Sequence, residues 1–268
     1  MATVRERLWL WGHYEGSQNE GWGLPRPSRI TPVEAAFYLG VPNVIMVSYR
    51  GLSDRGQPQP PFDQYAVPFR ALNQVVWSIV GEGGHTQEAE RAQVFDLASR
   101  LPNMTGVLMD DFFRSPQAGS EDVGVMSVAQ LHEVRNRLQR GGRSLALWVV
   151  LYAHQIGLPV EAHLRLCDRV TFWTWRAQDL ANLEQNFAAA EKLAPDIGKV
   201  LGCYMWDYGN RRPMPLALME KQCHLGLRWL QEGRIEGMIF LASCICDLDL
   251  ETVEWTRRWI AQVSDQAI

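Results

Sequence analysis

The chain has 268 residues, of which 47% are hydrophobic and 21% are charged, enough for a sizeable core and the usual size of one α/β barrel. A net charge of −4 gives no reason to expect a nucleic acid or an anionic membrane as partner. The longest apolar run, residues 145–153, is too short to span a bilayer. With five cysteines that mostly fall in strand or helix patterns, and no secretory pattern at the first residues, the sequence predicts a cytoplasmic protein with no membrane segment.

Eight short apolar runs with strand character recur along the chain. They cover residues 7–14, 43–49, 74–81, 106–109, 144–152, 169–175, 200–206 and 237–245. Helical patterns alternate with these runs, beginning with a capping box at Thr31 that has Pro32 in its first turn. The remaining helical patterns cover residues 62–72, 86–100, 127–139, 159–166, 179–193, 213–231 and 250–263.

Eight such β–α units predict an α/β fold, a single (β/α)8 TIM barrel domain over residues 1–268. A doubly wound open sheet is the alternative, but no glycine-rich dinucleotide loop follows the first strand. Three long connections, residues 15–30, 50–61 and 114–126, all follow strand ends. The turns on the other side are short, so we expect the working face at the C-terminal ends of the strands.

Carboxylates, histidines and aromatic residues follow the ends of these strands, and a barrel brings all of those ends to one mouth. For any single residue a structural role is the simpler interpretation, because Asp caps helices and Trp fills cores. The convergence of so many favours a site. The candidate catalytic residues are Asp110, Asp111, Asp207 and Glu82. The candidate substrate-binding residues are His13, Glu15, Tyr49, Arg50, Phe112, Tyr152, His154, Trp173, Trp175, Trp206 and Tyr208.

This mixture of side chains favours a carbohydrate ligand. Sugar rings present C–H faces that stack on Trp and Tyr, and their hydroxyls need carboxylate, amide and guanidinium partners. Paired carboxylates across such a cleft can cleave a glycosidic bond. Because side chains alternate along a strand, we expect Asp110 and Asp111 to point to different sides. The opposing carboxylate is then expected from another strand end, Asp207 first and Glu82 second.

Residues 106–113, Gly-Val-Leu-Met-Asp-Asp-Phe-Phe, and residues 202–209, Gly-Cys-Tyr-Met-Trp-Asp-Tyr-Gly, resemble segments of the TIM-barrel glycoside hydrolase superfamily. The resemblance implies a glycoside-hydrolase-like enzyme that acts on a small-molecule carbohydrate without a cofactor. The Asn-Glu pair and the later Glu of the large retaining families are replaced by Asp110-Asp111 and Asp207. The Asp-x-x-Asp-x-Asp-x-Glu pattern of chitinase-like barrels is absent, so no single family is identified.

Two other functions stay open. A metal-dependent barrel hydrolase or sugar isomerase would need a Zn²⁺ or Mn²⁺ site. Its candidate ligands are His13, Glu15, Glu82, Asp110, Asp111, His154 and Asp247. A non-catalytic sugar-binding barrel would keep the aromatic surface without needing several carboxylates close together. The sequence specifies no oligomeric state.

Overall fold

A computed structural model describes residues 2–48, 62–116, 122–139 and 144–268. In it, eight parallel strands close into a barrel in which each strand pairs with its neighbours in the sequence and the last pairs with the first. The strands are β1 Leu8–Gly12, β2 Asn43–Met46, β3 Gln74–Val80, β4 Met104–Met109, β5 Ala146–Tyr152, β6 Arg169–Trp173, β7 Gly198–Tyr204 and β8 Gly237–Leu241. The prediction of a (β/α)8 barrel is confirmed.

The described ranges contain seven α-helices, six between strands and the last one after β8. They are α1 Pro32–Leu39, α2 Glu88–Arg100, α3 Val128–Leu138, α4 Glu161–Leu164, α5 Leu183–Leu193, α6 Leu216–Gln231 and α7 Glu251–Val263. The predicted capping box of α1 is present, since the Thr31 hydroxyl accepts from the Glu34 backbone and the Glu34 carboxylate accepts from the Thr31 backbone. Ser127 and Gln130 form the same arrangement at α3. None of these helices is long and apolar enough to cross a membrane.

The predicted helix over residues 62–72 is wrong. The structure has turns there, followed by a 3-10 helix at Val67–Ala71. The physical reason is Pro68, which has no N–H to donate and disfavours the α-helical conformation of the residue before it. The first part of the neighbouring loop, residues 49–61, lies outside the described residues, and so does the predicted end of the second strand.

Tryptophans fill the barrel interior at two levels. Near the N-terminal end, the rings of Trp9 and Trp148 meet edge to face with centroids 5.0 Å apart. Near the mouth, Trp11 and Trp173 make a second edge-to-face pair at 5.2 Å. A side chain at Gly202 on β7 would overlap the ring of Trp173. Gly202 therefore leaves the space in which Trp173 lies across the barrel, and this layer forms the floor of the cavity above it.

Candidate active site

A cavity of about 460 Å³ opens at the C-terminal ends of the barrel strands. Its volume lies in the range of small-molecule binding sites. The residues that line it are Trp11, His13, Gln18, Trp22, Glu82, Gly83, Asp110, Asp111, Phe113, Arg114, Val125, Tyr152, His154, Gln155, Trp173, Trp175, Tyr204, Tyr208 and Leu241. The location agrees with the expectation drawn from loop lengths.

The structure brings most of the candidate site residues together at this cavity and places four elsewhere. Those that line it are Glu82, Asp110, Asp111, His13, Tyr152, His154, Trp173, Trp175 and Tyr208. Those that do not are Glu15, Phe112, Trp206 and Asp207. Tyr49 and Arg50 lie outside the described residues.

Asp110 is the most deeply placed carboxyl group of the cavity. It directly follows β4, where its backbone N–H donates to the carbonyl of Val80 at 2.9 Å, and only 5% of the residue is exposed. Burial raises the pKa of Asp110 well above its ordinary value, and the charges of Asp111 and Glu82 raise it further. A hydrogen bond from the Asp111 backbone N–H to Oδ1, 2.9 Å long, opposes that rise without reversing it. Asp110 can therefore hold a proton at a pH where an ordinary Asp cannot.

Asp111 lies in the left-handed region, with φ of 43°. The strand has already ended at Met109, so the alternation of side chains along a strand no longer applies. Asp110 and Asp111 consequently line the same cavity, and the expectation that they point to different sides is wrong. The Tyr152 hydroxyl donates to Oδ1 of Asp111 at 2.9 Å, and the Gly83 N–H donates to Oδ2 at 2.8 Å.

His13 is a neutral member of the cavity wall. Burial lowers its pKa to about 4. Its Nε2 accepts a hydrogen bond from the Trp11 indole N–H at 3.2 Å, which places the proton on Nδ1, 3.3 Å from the carbonyl oxygen of Val47. Burial also lowers the pKa of His154 at the rim. Both imidazoles are therefore uncharged near neutral pH.

An aromatic wall faces the carboxylates. Trp175 meets three rings edge to face, with centroid distances of 6.1 Å to Trp22, 6.0 Å to Tyr152 and 5.8 Å to Tyr204. Burial, together with the nearby carboxylates, raises the pKa of Tyr152 and of Tyr204 well above the ordinary value. Their hydroxyls therefore stay protonated and can act as hydrogen-bond donors or acceptors.

The long loop after β1 forms one side of this wall and is pinned to the loop after β7. The Tyr208 hydroxyl donates to Oε1 of Gln18 at 2.6 Å, and the Trp206 indole N–H donates to the backbone carbonyl of Trp22 at 3.0 Å. Trp206 is thus a support for Trp22 and does not line the cavity itself. Phe112 is similarly buried beneath the site, with its ring edge to face against that of Phe113.

Asp207 was expected to face Asp110 across the cavity, but its carboxylate instead holds a loop in place. It is fully buried, and its Oδ1 accepts hydrogen bonds from the N–H groups of Ala177 and Asn210, each 3.3 Å long. Its Oδ2 accepts from the Asn210 amide at 2.7 Å and from Nε of Arg212 at 3.3 Å. These contacts explain why an Asp stands at this strand end, and they leave Glu82 as the cavity carboxylate from a neighbouring strand.

The candidate metal ligands are not grouped as a metal site would require. Within the described ranges, no three His, Cys, Asp or Glu side chains lie together in an arrangement that could hold a metal ion. Glu15 is exposed. Asp247 is exposed as well, and its carboxylate accepts a hydrogen bond from the Arg29 backbone at 2.8 Å.

Several lining residues were not among the candidates from the sequence. Trp11 was available from strand alternation, because it lies two residues before His13. Tyr204 was available as the last residue of β7. Gln18, Trp22 and Arg114 come from loops, and no local pattern predicts where the tip of a loop will fold.

No family model matches the sequence, and no curated protein matches it. Solved structures match in fold. Active domain 2 of a thermostable chitinase from Pyrococcus furiosus gives a TM-score of 0.55 at 14% identity, covering 88% of this chain and 83% of that one. A xylanase-α-amylase inhibitor protein gives 0.57 at 13% identity, covering 95% and 98%. A putative α-L-fucosidase from Bacteroides thetaiotaomicron gives 0.54 at 11% identity, covering 98% of both.

A chitinase-like lectin from tamarind also matches, with a TM-score of 0.56 at 8% identity, covering 97% of this chain and 99% of that one. These proteins include enzymes, inhibitors and a lectin, so the shared barrel is a fold on which different functions occur. The chain is thus similar in fold to glycoside-hydrolase-like TIM barrels, as residues 106–113 and 202–209 had suggested.

Proposed function

We propose that the chain is a glycoside-hydrolase-like enzyme that cleaves a carbohydrate or glycoside in the cavity at the barrel mouth. The observation that carries the proposal is Asp110, a buried carboxyl with a raised pKa, in a cavity that also contains Asp111, Glu82 and an aromatic wall. Glycosidic cleavage uses one carboxyl that keeps its proton and a second carboxylate close by.

In this proposal Asp110 gives its proton to the leaving oxygen as the bond between that oxygen and the sugar carbon breaks. Positive charge then develops on the sugar ring, and a carboxylate of the same cavity stabilises it or attacks the carbon. Glu82 and Asp111 are the other described carboxylates that line the cavity and are the candidates for that role. Trp22 and Trp175 would contact the sugar rings, because the apolar C–H faces of a sugar pack against aromatic side chains.

The proposal is tested by assaying wild-type protein against a panel of aryl glycosides and oligosaccharides, and then comparing Asp110→Asn on any substrate that is turned over. We expect Asp110→Asn to lower kcat/KM by about 10²–10⁴-fold, the usual contribution of a general acid. Glu15→Gln is the matched control, because Glu15 is exposed and lies outside the cavity. Turnover unchanged in Asp110→Asn would overturn the proposal.

A non-catalytic sugar-binding barrel is the second candidate, since the fold is shared by an inhibitor protein and a lectin. The aromatic wall alone would suffice for binding. This function predicts that calorimetry detects binding of an oligosaccharide, that no bond is cleaved, and that Asp110→Asn binds the same oligosaccharide as tightly as wild-type protein.

A further inference from the structure

The two adjacent carboxylates differ in how their oxygen atoms are used. Both oxygens of Asp111 are occupied, one by the Tyr152 hydroxyl at 2.9 Å and the other by the Gly83 N–H at 2.8 Å. Asp111 in turn donates its own N–H to Oδ1 of Asp110 at 2.9 Å. Hydrogen bonds therefore run from the loop after β3 and from the end of β5, through Asp111, to Asp110.

The Tyr152 end of this network is itself fixed to the segment that follows Asp111. The backbone N–H of Tyr152 donates to Oε1 of Gln155 at 2.9 Å. The amide of the same Gln155 donates to the backbone carbonyl of Phe113 at 2.7 Å. Since Phe113 lies two residues after Asp111, the ends of β4 and β5 are locked together on both sides of the carboxylate.

Oδ2 of Asp110 has no comparable partner. Among residues 2–48, 62–116, 122–139 and 144–268, no group donates a hydrogen bond to it. Asp110 is only 5% exposed and lines the cavity. In the described part of the chain, the charged and titratable groups that act on Asp110 or are acted on by it are Asp111, Glu82 from the β3 loop, Tyr152 from β5 and Tyr204 from β7. His154 faces Asp111.

We propose that Asp111 is a positioning residue, held by Tyr152 and the Gly83 backbone, that fixes Asp110 with Oδ2 available to the ligand. It does not attack the sugar. The inference rests on the proposed function of Asp110 as proton donor, and Glu82 is then the other described carboxylate that lines the cavity. A carboxylate whose two oxygens both accept hydrogen bonds from the protein is poorly placed to attack the sugar carbon, whereas its charge still acts on the adjacent Asp110.

Asp111→Asn separates the two roles. Asn is favoured in the left-handed region, and its amide can keep both contacts, because its oxygen can accept from Gly83 and the Tyr152 hydroxyl can accept from its nitrogen. The variant therefore removes the charge and keeps the geometry. Loss of the negative neighbour should lower the pKa of Asp110, because the charge of Asp111 helps to raise it. In turnover, the basic limb of the kcat/KM profile should move down by the same amount, with activity retained on the acidic side.

The titration is measured directly by carbon NMR of protein labelled at the aspartate carboxyl groups, with the Asp110 signal assigned by its loss in Asp110→Asn. Asp179→Asn is the matched control. Asp179 is exposed and lies outside the cavity lining, so this substitution removes one negative charge outside the cavity. We expect the Asp110 midpoint to fall in Asp111→Asn and to stay unchanged in the control. An unchanged midpoint in Asp111→Asn, or turnover lost by about 10³-fold or more at every pH as for a missing reacting group, would overturn the inference.

Tyr152→Phe tests the hydrogen bond from the Tyr152 hydroxyl to Asp111, since it removes only the hydroxyl group. It should lower kcat with little effect on KM, and its effect should be smaller in the Asp111→Asn background because both changes act on one network. Tyr208→Phe is the matched control for the Asp110 titration, because the Tyr208 hydroxyl donates to Gln18 instead.

If the Asp110 midpoint falls as expected in Asp111→Asn while wild-type protein cleaves no glycoside, the proposed function fails and the positioning role stands. Turnover that depends on Asp110 without the fall in midpoint would reject only the positioning role.

Discussion

Asp110 and Asp207 show how similar strand-end aspartates acquire different roles. Each follows a barrel strand closely and each is buried. The Asp207 carboxylate accepts four hydrogen bonds, three from its own loop and one from Ala177 after β6. Among the described residues, the Asp110 carboxyl accepts one, from Asp111. A buried carboxyl with so few donors keeps its proton more readily, because burial disfavours the charged form and few hydrogen bonds compensate.

This difference predicts opposite behaviour on substitution. The raised pKa of Asp110 means that the folded state binds a proton more strongly than the unfolded state, so this residue lowers stability as the pH rises through its folded-state pKa. Asp110→Asn should therefore melt at the wild-type temperature or above it at pH 7–8, while losing turnover. Differential scanning calorimetry at pH 5 and pH 8 checks this. A melting temperature several degrees lower at pH 8 would indicate a structural role.

Asp207→Asn should do the reverse. Replacing a buried carboxylate that accepts hydrogen bonds from Ala177, Asn210 and Arg212 places an N–H₂ group against donors, which costs about 1–3 kcal/mol. We expect a melting temperature lower by a few degrees, with kcat of the folded protein within a few-fold of wild type. Loss of turnover by 10²-fold or more without destabilisation would restore Asp207 as a catalytic candidate.

His13 predicts the acid sensitivity of the fold. Burial lowers the pKa of His13 from 6.5 to about 4. Between these two pH values the imidazole is protonated in the unfolded chain and neutral in the folded chain. The free energy of unfolding should therefore fall as the pH drops from about 6.5 towards 4, by about 3 kcal/mol in total. In His13→Asn, which keeps a donor for the Val47 carbonyl, this part of the pH dependence should disappear. Urea denaturation at pH 7, 6, 5 and 4.5 measures it, and parallel curves for the two proteins would contradict the assignment.

At the level of elements, the loop over residues 15–30 depends on how closely it approaches the loop after β7. Gly23 has φ of 71°, and a Cβ there would lie 2.7 Å from the carbonyl oxygen of Arg211. Gly21 also has a positive φ, of 86°, but nothing lies within 4 Å of its would-be Cβ. Substitutions at these two glycines share the backbone strain, but only the one at Gly23 also affects the position of the loop.

Both Gly21→Ala and Gly23→Ala should lose about 1 kcal/mol of stability from the left-handed conformation. Only Gly23→Ala should also push the loop away from Arg211 and move Trp22 out of the cavity wall. We expect it alone to weaken ligand binding, by tenfold or more, as measured by calorimetry with the preferred saccharide. Equal affinities in the two variants would show that Trp22 does not contact the ligand.

The sequence predicts the strands and most helices because a short continuous apolar run and a period of 3.6 residues are both local signals. It predicts that strand ends converge because a barrel imposes it, which is why nine candidate site residues line the cavity. It fails where one residue overrides the pattern, as Pro68 does in the helix over residues 62–72 and the left-handed φ of Asp111 does at the end of β4. It also fails for Gln18 and Trp22, whose positions depend on contacts with Tyr208 and Trp206 across the mouth.

For the molecule as a whole, the proposed chemistry needs no metal ion. Exhaustive dialysis against a strong chelator should leave turnover and the melting temperature unchanged, and elemental analysis should find Zn and Mn well below one equivalent. The physical reason is that the carboxyls of the cavity supply both the proton and the negative charge that glycosidic cleavage requires. Activity lost on chelation and restored by added Zn²⁺ or Mn²⁺ would favour the metal-dependent alternative.

The proton donated by Asp110 is the central claim, and the dependence of turnover on the leaving group tests it most directly. Glycosides of a poor leaving group need that proton, while those of a strongly acidic phenol depart without it. In Asp110→Asn we expect kcat/KM to fall by about 10²–10⁴-fold for the first kind and only a few-fold for the second. An equal loss for both kinds of substrate, or no loss for either, would contradict the account.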